Sequence, residues 1–320
     1  MKARQAGAAL LAAMMTVTLV ATFAAAALWQ QWRSVEVEAA DRTRVQAGWT
    51  LTGALDWARL ILREDRSGAD HLGEPWAVPL QEARLSTFLA ADQNNNTEAG
   101  DADNVFLSGD MTDMQSRLNV MNIVQAGAIR ADWFEAFRRL FEALGLPQQQ
   151  LARLAENLRF AADISIENRN MARAPLQPHT LEQLVWLGLS PEVVALLEPH
   201  VTLLPDSNAR VNLNTASAEV IYAAVGKISL ADAQRLVAER ERQHFRTLAD
   251  AKALLPPDAV ATEALVGVTT NFFLVRGRLR VDDIVIEEHS LVQRKGLEVT
   301  TLSRQRGTLQ PVQAPVVTGR

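Results

Sequence analysis

Cysteine is absent from the 320 residues of this sequence. Disulfide bridges, thiolate nucleophiles and cysteine-ligated zinc are therefore excluded. A basic excess is missing too, because 32 Lys and Arg face 37 Asp and Glu and the net charge is −5. The chain as a whole therefore lacks the positive surface that attracts nucleic-acid backbones. Hydrophobic residues make up 48% and charged residues 22%, a globular composition that suits about two domains.

Catalytic signatures are missing as well. The five histidines lie far apart and lack the spacing of metal ligands: His71, His179, His200, His244 and His289. Neither a nucleophile elbow nor a glycine-rich phosphate loop occurs in the sequence. We therefore expect a protein that is not an enzyme and that has no catalytic residues.

One long apolar run is present, and it reaches from Ala6 to Trp29 without a charged side chain. A bilayer core needs about 20 apolar helical residues, so this run predicts a single transmembrane helix. Lys2 and Arg4 precede the run, whereas Glu36 and Glu38 follow it. The positive-inside rule then predicts a cytoplasmic N-terminus and places the bulk of the chain across the membrane.

The apolar run continues without proline into an amphipathic stretch that ends near Arg63. Its apolar or β-branched side chains recur at helical intervals, at Val45, Trp49, Thr52, Leu55 and Leu62. This pattern predicts one long helix from Ala8 to Arg63, half in the membrane and half packed on a folded domain. The alternative is a secretory signal peptide that is cleaved after Ala24–Ala27 and releases a soluble periplasmic protein.

Alternating apolar and polar residues predict strands on both sides of a helical region. We expect a hairpin of Val105–Met111 with Asp113–Val124, and three antiparallel strands after Val268 with a turn at Lys295 and Gly296. Between them, apolar residues recur with helical period, at Trp133, Phe137, Leu140, Phe141, Leu144, Leu151, Leu154, Leu158 and Ala162. The helical block 128–268 is therefore expected to be inserted into a domain of strands.

Residues 211–255 of the helical block resemble a helix-hairpin-helix module of DNA-binding proteins. The predicted helix caps of this module are Thr215, Ser229 with Asp232, and Thr247 with Asp250. Earlier in the helical block, the predicted caps are Thr180 with Gln183 and Ser190 with Pro191. Gly226 opens the hairpin turn, but Ser229 stands where such modules have a second glycine. Residues 207–258 carry nearly equal numbers of acids and bases, so we expect no nucleic-acid binding. A membrane-anchored DNA-uptake protein is the alternative function.

The basic leader MKARQAG before an apolar helix resembles the start of type IV pilins and their relatives. With the runs DWARLILRED, EPWAVPL, SRLNVMN and VNLNTAS in this order, residues 1–306 resemble the type II secretion system protein K family of large minor pseudopilins. The resemblance implies an α+β fold, with a pilin-like domain of a long helix on an antiparallel sheet and an inserted all-α domain. The expected segments are a leader 1–7, a transmembrane half-helix 8–29, a first pilin-like part 30–127, the helical block 128–268, returning strands 269–306 and a flexible tail 307–320.

The resemblance also implies processing and partners. Prepilin peptidase would cut between Gly7 and Ala8, and Ala8 would be N-methylated. The mature protein would join minor pseudopilins I, J and H, and the major pseudopilin, in a fibre anchored in the bacterial inner membrane. This fibre drives folded proteins across the outer membrane.

Ala12 stands at the fifth mature position, where ordinary pilins carry a glutamate that neutralises the terminal amine of a neighbouring subunit. A buried unpaired charge in a membrane is expensive, so each added subunit needs that carboxylate. The first subunit of a fibre has no predecessor and needs none. Ala12 therefore suits a tip subunit, whereas the simpler explanation is a lipid-facing residue of a plain anchor.

Calcium is the cofactor that the family resemblance implies, bound through an acidic cluster. Asp163 and Glu167 are the candidate ligands, although two carboxylates supply too few of the about 6–8 oxygens that calcium prefers. A second acidic loop contains Asp92, Asn94, Asn96, Glu98 and Asp103. Thr97 replaces the turn glycine of an EF-hand there, so we expect a solvated polar loop.

Overall fold

The computed structural model of the chain describes residues 2–90, 104–163, 174–282 and 284–309. The chain divides into two units, Met1–Gly53 and Ala54–Arg320. One long N-terminal helix, α1 (Lys2–Glu64), precedes an antiparallel sheet and a set of shorter helices. This order of elements confirms the predicted α+β class.

Helix α1 includes the whole predicted range from Ala8 to Arg63, but its buried side differs from the predicted one. Val45 and Trp49 are 60% and 74% exposed. The buried side chains are Ala47, Leu51, Leu55, Ala58 and Leu62. These positions keep a stricter helical period than the predicted set. Leu55 and Leu62 are buried as predicted, whereas Ala47, Leu51 and Ala58 were not in the predicted set. Alanine, small and weakly hydrophobic, does not stand out in a sequence pattern.

The shorter elements have the following bounds. In chain order the strands are β1 Leu80–Arg84, β2 Val105–Asp113, β3 Leu118–Asn119, β4 Val124–Gln125, β5 Ala128–Ile129, β6 Val201–Thr202, β7 Val211–Asn212, β8 Val266–Gly267, β9 Phe272–Val281, β10 Ile284–Lys295 and β11 Glu298–Leu309. The helices after α1 are α2 Leu85–Ala90, α3 Ala131–Ala143, α4 Gln148–Ala162, α5 Pro191–Leu197, α6 Ala218–Ala224, α7 Leu230–Arg242 and α8 Leu248–Lys252.

Five strands form one antiparallel sheet in the order β1-β2-β9-β10-β11. The three predicted C-terminal strands are confirmed, and Gly296 takes a φ of +60° in the turn between the last two. Strand β11 continues to Leu309, past the expected end of the returning strands at Arg306. Strands β2 and β9 are neighbours in the sheet although the helical block separates them in the chain.

The last turns of α1 pack on this sheet. Leu55, Ala58 and Leu62 share a buried cluster with Trp76, Phe273, Val275, Val292 and Val299. The guanidinium of Arg59 donates from Nε and Nη2 to the carbonyl of Val299, at 3.0 and 2.7 Å. Burying one leucine stabilises a fold by about 1.5–3 kcal/mol, so this contact fixes the last turns of α1 on the sheet.

The predicted hairpin of Val105–Met111 with Asp113–Val124 is wrong. Strand β2 pairs with β1 and β9, while β3 pairs in parallel with β6 and 3-10 turns fill the rest of the segment. The true partner β1 has the sequence LQEAR, which shows neither alternation nor β-branched residues. No local signal identified it as a strand.

The helical block has its own core, and its largest buried side chains include Trp133, Phe137, Phe141, Leu140 and Leu151. Ser190, Ser229 and Thr247 cap α5, α7 and α8 as predicted, while Thr180 with Gln183 precedes a 3-10 helix instead of an α-helix. The predicted cap at Thr215 is wrong, because Ser217 caps α6. The Thr215 hydroxyl instead donates to Asp113.

Candidate functional site: the apolar helix and the joint of the helical block

Among the described residues, one helix is long and apolar enough to cross a membrane, and it is α1 from Ala9 onward. Its most apolar stretch of 18 residues has a mean hydropathy of 2.0, and none of these residues is buried. The hydroxyls of Thr16, Thr18 and Thr22 donate to carbonyls three or four residues earlier, at 2.8–3.0 Å. Because hydrocarbon offers polar groups no partners, these internal bonds suit the segment to lipid.

The predicted processing residues lie at the start of this helix. The backbone of Gly7 and Ala8 is helical and belongs to the first turns of α1. Ala12 follows one turn later and is exposed among Leu10, Leu11 and other apolar side chains. Cleavage, N-methylation and the role of Ala12 stay predictions.

The predicted calcium ligands are not brought together among the described residues. Asp163 is the C-cap residue of α4, and Glu167 lies outside the described residues. The acidic loop of Asp92, Asn94, Asn96, Glu98 and Asp103 lies outside them as well. Calcium binding at these positions stays a prediction.

A different acidic cluster, which we did not foresee, lies where α1 meets the sheet. Carboxylate oxygens of Asp65, Asp70 and Glu74 lie within 4.8 Å of one another. The guanidinium of Arg294 donates to Asp65 at 2.6 Å, to Asp70, and to the carbonyl of Thr270 at 3.0 Å. This cation occupies the cluster, so the cluster does not fit a calcium ion and instead ties the end of α1 to β10.

Burial raises the pKa of Asp70 to about 6, against the opposing effects of the Thr270 amide and the Arg294 guanidinium. Asp70 is 1% exposed, so ionising its carboxyl group is expensive even with a cation beside it. At neutral pH the carboxylate is ionised and paired. More than 200 residues separate Asp70 from Arg294 in the chain, so no spacing in the sequence points to the pair.

The motif VNLNTAS, residues 211–217, forms the joint between the helical block and the sheet. Asn212 is fully buried, and its Nδ2 donates to the Asp70 carbonyl at 3.1 Å and to Asp113 Oδ2 at 2.9 Å. The Thr215 hydroxyl donates to the same Asp113 oxygen at 2.5 Å. The backbone amide of Gln115 donates to the other carboxylate oxygen, Oδ1, at 2.7 Å. Burial raises the pKa of Asp113, and these neutral donors oppose the rise.

Asn214, two residues further on, holds the segment between α7 and α8. Its Oδ1 accepts the Phe245 amide at 2.8 Å, and its Nδ2 donates to the Phe245 carbonyl at 2.9 Å. Both asparagines have buried amide groups whose bonds are satisfied, as burial requires. The motif was visible in the sequence, but its structural role depends on partners at Asp70, Asp113 and Phe245 that are distant in the chain.

The predicted hairpin between α6 and α7 is a tight turn against Val260. Gly226 and Val260 exchange two backbone hydrogen bonds, at 2.9 and 2.8 Å. A Cβ on Gly226 would lie 3.3 Å from the Val260 side chain, so glycine permits this close approach. The left-handed position of the turn belongs to Lys227, with a φ of +58°.

The N-terminus of α7, where a helix-hairpin-helix module would hold a phosphate, carries an acid. Asp232 accepts the Ser229 amide at 3.0 Å and the Ser229 hydroxyl at 2.8 Å. Arg235 pairs with the other oxygen of this carboxylate at 3.0 Å. Arg240 points inward, and its Nη1 donates to the carbonyls of Leu213 and Ala216 at 2.6 Å. A phosphate at this turn would meet a carboxylate instead of free amides.

Two family models match the chain, and both describe the type II secretion system protein K, over residues 116–206 and 211–270. Both segments lie between the end of β2 and the start of β9. The protein K of Pseudomonas aeruginosa is 26% identical over 95% of this chain and 90% of its own length. Those of Pectobacterium carotovorum and Klebsiella pneumoniae are 23% and 24% identical, over 98% and 96% of this chain and 99% and 98% of their own.

A solved structure shares the fold. In the GspK-GspI-GspJ complex from enterotoxigenic Escherichia coli, one chain superposes with a TM-score of 0.64 and 20% identity. The match covers 84% of this chain and 98% of that one. Family models within the helical block, relatives along nearly the whole chain and this shared fold agree, and together they support the type II secretion system protein K family for this chain and a minor pseudopilin role in that system.

Proposed function

We propose that this protein caps the tip of the pseudopilus together with minor pseudopilins I, J and H, and so starts fibre assembly on the major pseudopilin. The observation that carries the proposal is Ala12, an uncharged residue on the exposed apolar part of α1 at the fifth mature position. Each later subunit needs a carboxylate there to meet the terminal amine of its predecessor. A subunit with nothing above it has no amine to meet.

The same proposal assigns the topology of the chain. The N-terminus lies in the cytoplasm, α1 crosses the inner membrane at residues 8–29, and the remainder is periplasmic. Prepilin peptidase removes residues 1–7, and Ala8 becomes the methylated N-terminus. The threonine hydroxyls of this segment are satisfied within the helix, which supports its retention in lipid.

The helical block serves protein contacts and not nucleic acid. Asp232 already accepts the donors at the start of α7, and Arg240 is directed to carbonyls inside the block. Salt-dependent DNA binding requires free cations and open amides, and this turn supplies few of either. The block 128–268 inserted between 30–127 and 269–306 is a bulky addition that suits a position without a subunit above it. We propose no enzymatic role.

The variant Ala12→Glu tests the tip position, with Ala13→Glu as its matched control. Each variant puts one acid into the apolar span, at a cost of about 2.5–3.5 kcal/mol on insertion scales if the acid stays charged. For a tip subunit we expect both to insert slightly less well and to secrete at or below the wild-type level, without difference between them.

Secretion of a folded exoprotein and fibre length are measured in a secreting strain, and mass spectrometry reads the N-terminus of the membrane-extracted protein. Better secretion by Ala12→Glu than by Ala13→Glu, or crosslinks to a subunit above this one, would refute the tip position. A mature N-terminus at Leu28 would show a cleaved signal peptide and overturn the anchor.

A further inference from the structure

Two histidines that are far apart in the sequence stack on each other in the fold. The ring centroids of His71 and His244 are 3.7 Å apart, and the ring planes differ by 8°. His71 belongs to the segment that follows α1, and His244 belongs to the segment between α7 and α8. Both side chains are half-buried. The stack is therefore a direct contact between the segment that follows α1 and the helical block.

The hydrogen bonding of His71 requires a neutral ring. The backbone amide of Gly73 donates to His71 Nδ1 at 3.1 Å, so this nitrogen must carry a lone pair. The neutral ring then has its proton on Nε2. A second proton would occupy Nδ1, face the Gly73 donor and break this hydrogen bond. A Cβ at position 73 would lie 3.1 Å from the same nitrogen, so the glycine allows the ring to sit there.

Charged groups from both segments surround the stack. On the side of His71, the Glu74 carboxylate accepts the His71 amide at 2.9 Å and the Trp76 Nε1 at 2.7 Å. On the side of His244, Arg246 adds positive charge, and its amide donates to Asp250 at 3.0 Å. Burial lowers the pKa of His244, and the His71 ring and Arg246 lower it further, while Glu74 opposes them.

We propose that the His71–His244 stack is a proton-sensitive latch, closed while both rings are neutral and opened when either ring takes a proton. Two protonated rings would place two positive charges about a ring-stacking distance apart, and one proton on His71 suffices to break the hydrogen bond from the Gly73 amide. The latch goes beyond the proposed place of the subunit in the fibre and does not depend on it.

The direction of the pH effect follows from the neutral folded state. A histidine whose folded pKa lies below its unfolded value stabilises the fold fully above about pH 6.5, and this contribution is lost as pH falls. Opening frees the segment after α1 from the α7–α8 segment. The bond from Asn212 to the Asp70 carbonyl involves no titrating group and stays in place. Acid therefore opens the histidine contact, while the bond from Asn212 to the Asp70 carbonyl remains.

The first test is a histidine titration of the full-length protein in detergent micelles, with nitrogen-15 in the histidine rings. We expect His244 to titrate at lower pH in the folded protein than in the denatured chain, and His71 to carry its proton on Nε2 at pH 7.5. Titration of His244 at the same pH in the folded and the denatured protein, or a neutral His71 with its proton on Nδ1, would overturn the latch. This test needs no variant, so misfolding cannot obscure it.

The second test is hydrogen exchange of residues 71–74 and 244–246, corrected for the intrinsic effect of pH. In the wild type we expect the protection of these amides to fall between pH 7.5 and pH 5.5, because the lowered pKa of His244 means that the open form binds its proton more tightly than the closed form. The double variant His71→Phe/His244→Phe keeps two flat rings without a titrating group, so its protection should not fall between the two pH values, whereas His179→Phe should behave as wild type. Equal loss in the double variant and the wild type would refute the proposal.

Discussion

Two buried carboxylates at the joint, Asp70 and Asp113, are stabilised in different ways. Asp70 pairs with the guanidinium of Arg294 and accepts the Thr270 backbone amide. In the described part of the chain the donors to Asp113 are neutral, and they include Asn212, Thr215 and the Gln115 backbone amide. Burial raises the pKa of both carboxyl groups. Asp70 therefore depends on one side chain for its compensation, whereas Asp113 depends on several. The first site is therefore expected to be the more vulnerable to a single substitution.

Arg294→Met should have the largest effect, because it leaves Asp65 and Asp70 buried without their cation. Removing one partner of a buried ion pair costs about 3–5 kcal/mol. The loss should be full at pH 7.5 and should shrink toward pH 5, because Asp70 then takes a proton and needs no cation. Denaturant unfolding of the full-length protein in mild detergent measures it. Arg63→Met, at an exposed pair with Glu64, is the control and should change stability by less than about 1 kcal/mol.

Thr215→Val tests the neutral site by removing one of the donors to Asp113 and keeping the size of the side chain. Leaving a buried acceptor short of one partner costs about 1–3 kcal/mol, less than the loss of a cation. Protonated Asp113 needs fewer donors, so this cost should also decrease as pH falls. Thr300→Val on β11, whose hydroxyl makes only a 3.5 Å contact, is the control in the same unfolding assay. A cost equal to that of Arg294→Met would remove the distinction between the two sites.

The smallest expected effect is the coupling free energy between the two sites. The double variant Arg294→Met/Thr215→Val measures it. Asn212 touches both, but it reaches Asp70 through the backbone carbonyl and not through the carboxylate. We therefore expect the two free-energy changes to add within about 0.5 kcal/mol. Coupling above about 1 kcal/mol would show that the two carboxylates belong to one network.

Local features of this fold were predictable, and features that join distant residues were not. The caps at Ser190, Ser229 and Thr247 use a hydroxyl and an amide within one helical turn, so the sequence around them is sufficient. Thr215 looks like such a cap, but its hydroxyl serves Asp113, which precedes it by about a hundred residues. Strand β1 carries no strand pattern of its own and is held by its pairing with β2.

The functional region shows the same division. The apolar half of α1 was predictable from composition alone, because a membrane span needs only length and the absence of charge. The acidic cluster around Arg294 and the stack of His71 on His244 depend on segments that meet only in the folded chain. Single acids, arginines and histidines are common in any sequence, so nothing in the sequence indicated which of them would meet. The VNLNTAS motif predicted the family but not that its asparagines hold the joint.

The insertion of the helical block between neighbouring strands also determines an order of folding. Strands β2 and β9 pair along nine residue positions, yet the chain between them includes the whole block. If the chain between β2 and β9 is still disordered, bringing the two strands together closes a very long loop. This closure costs conformational entropy and slows the pairing of the strands. The block has its own core of buried side chains, so the block is expected to form first and bring Asp113 and Thr270 together. During export the sheet would then complete late, and its unpaired strand edges would stay open until the block has folded.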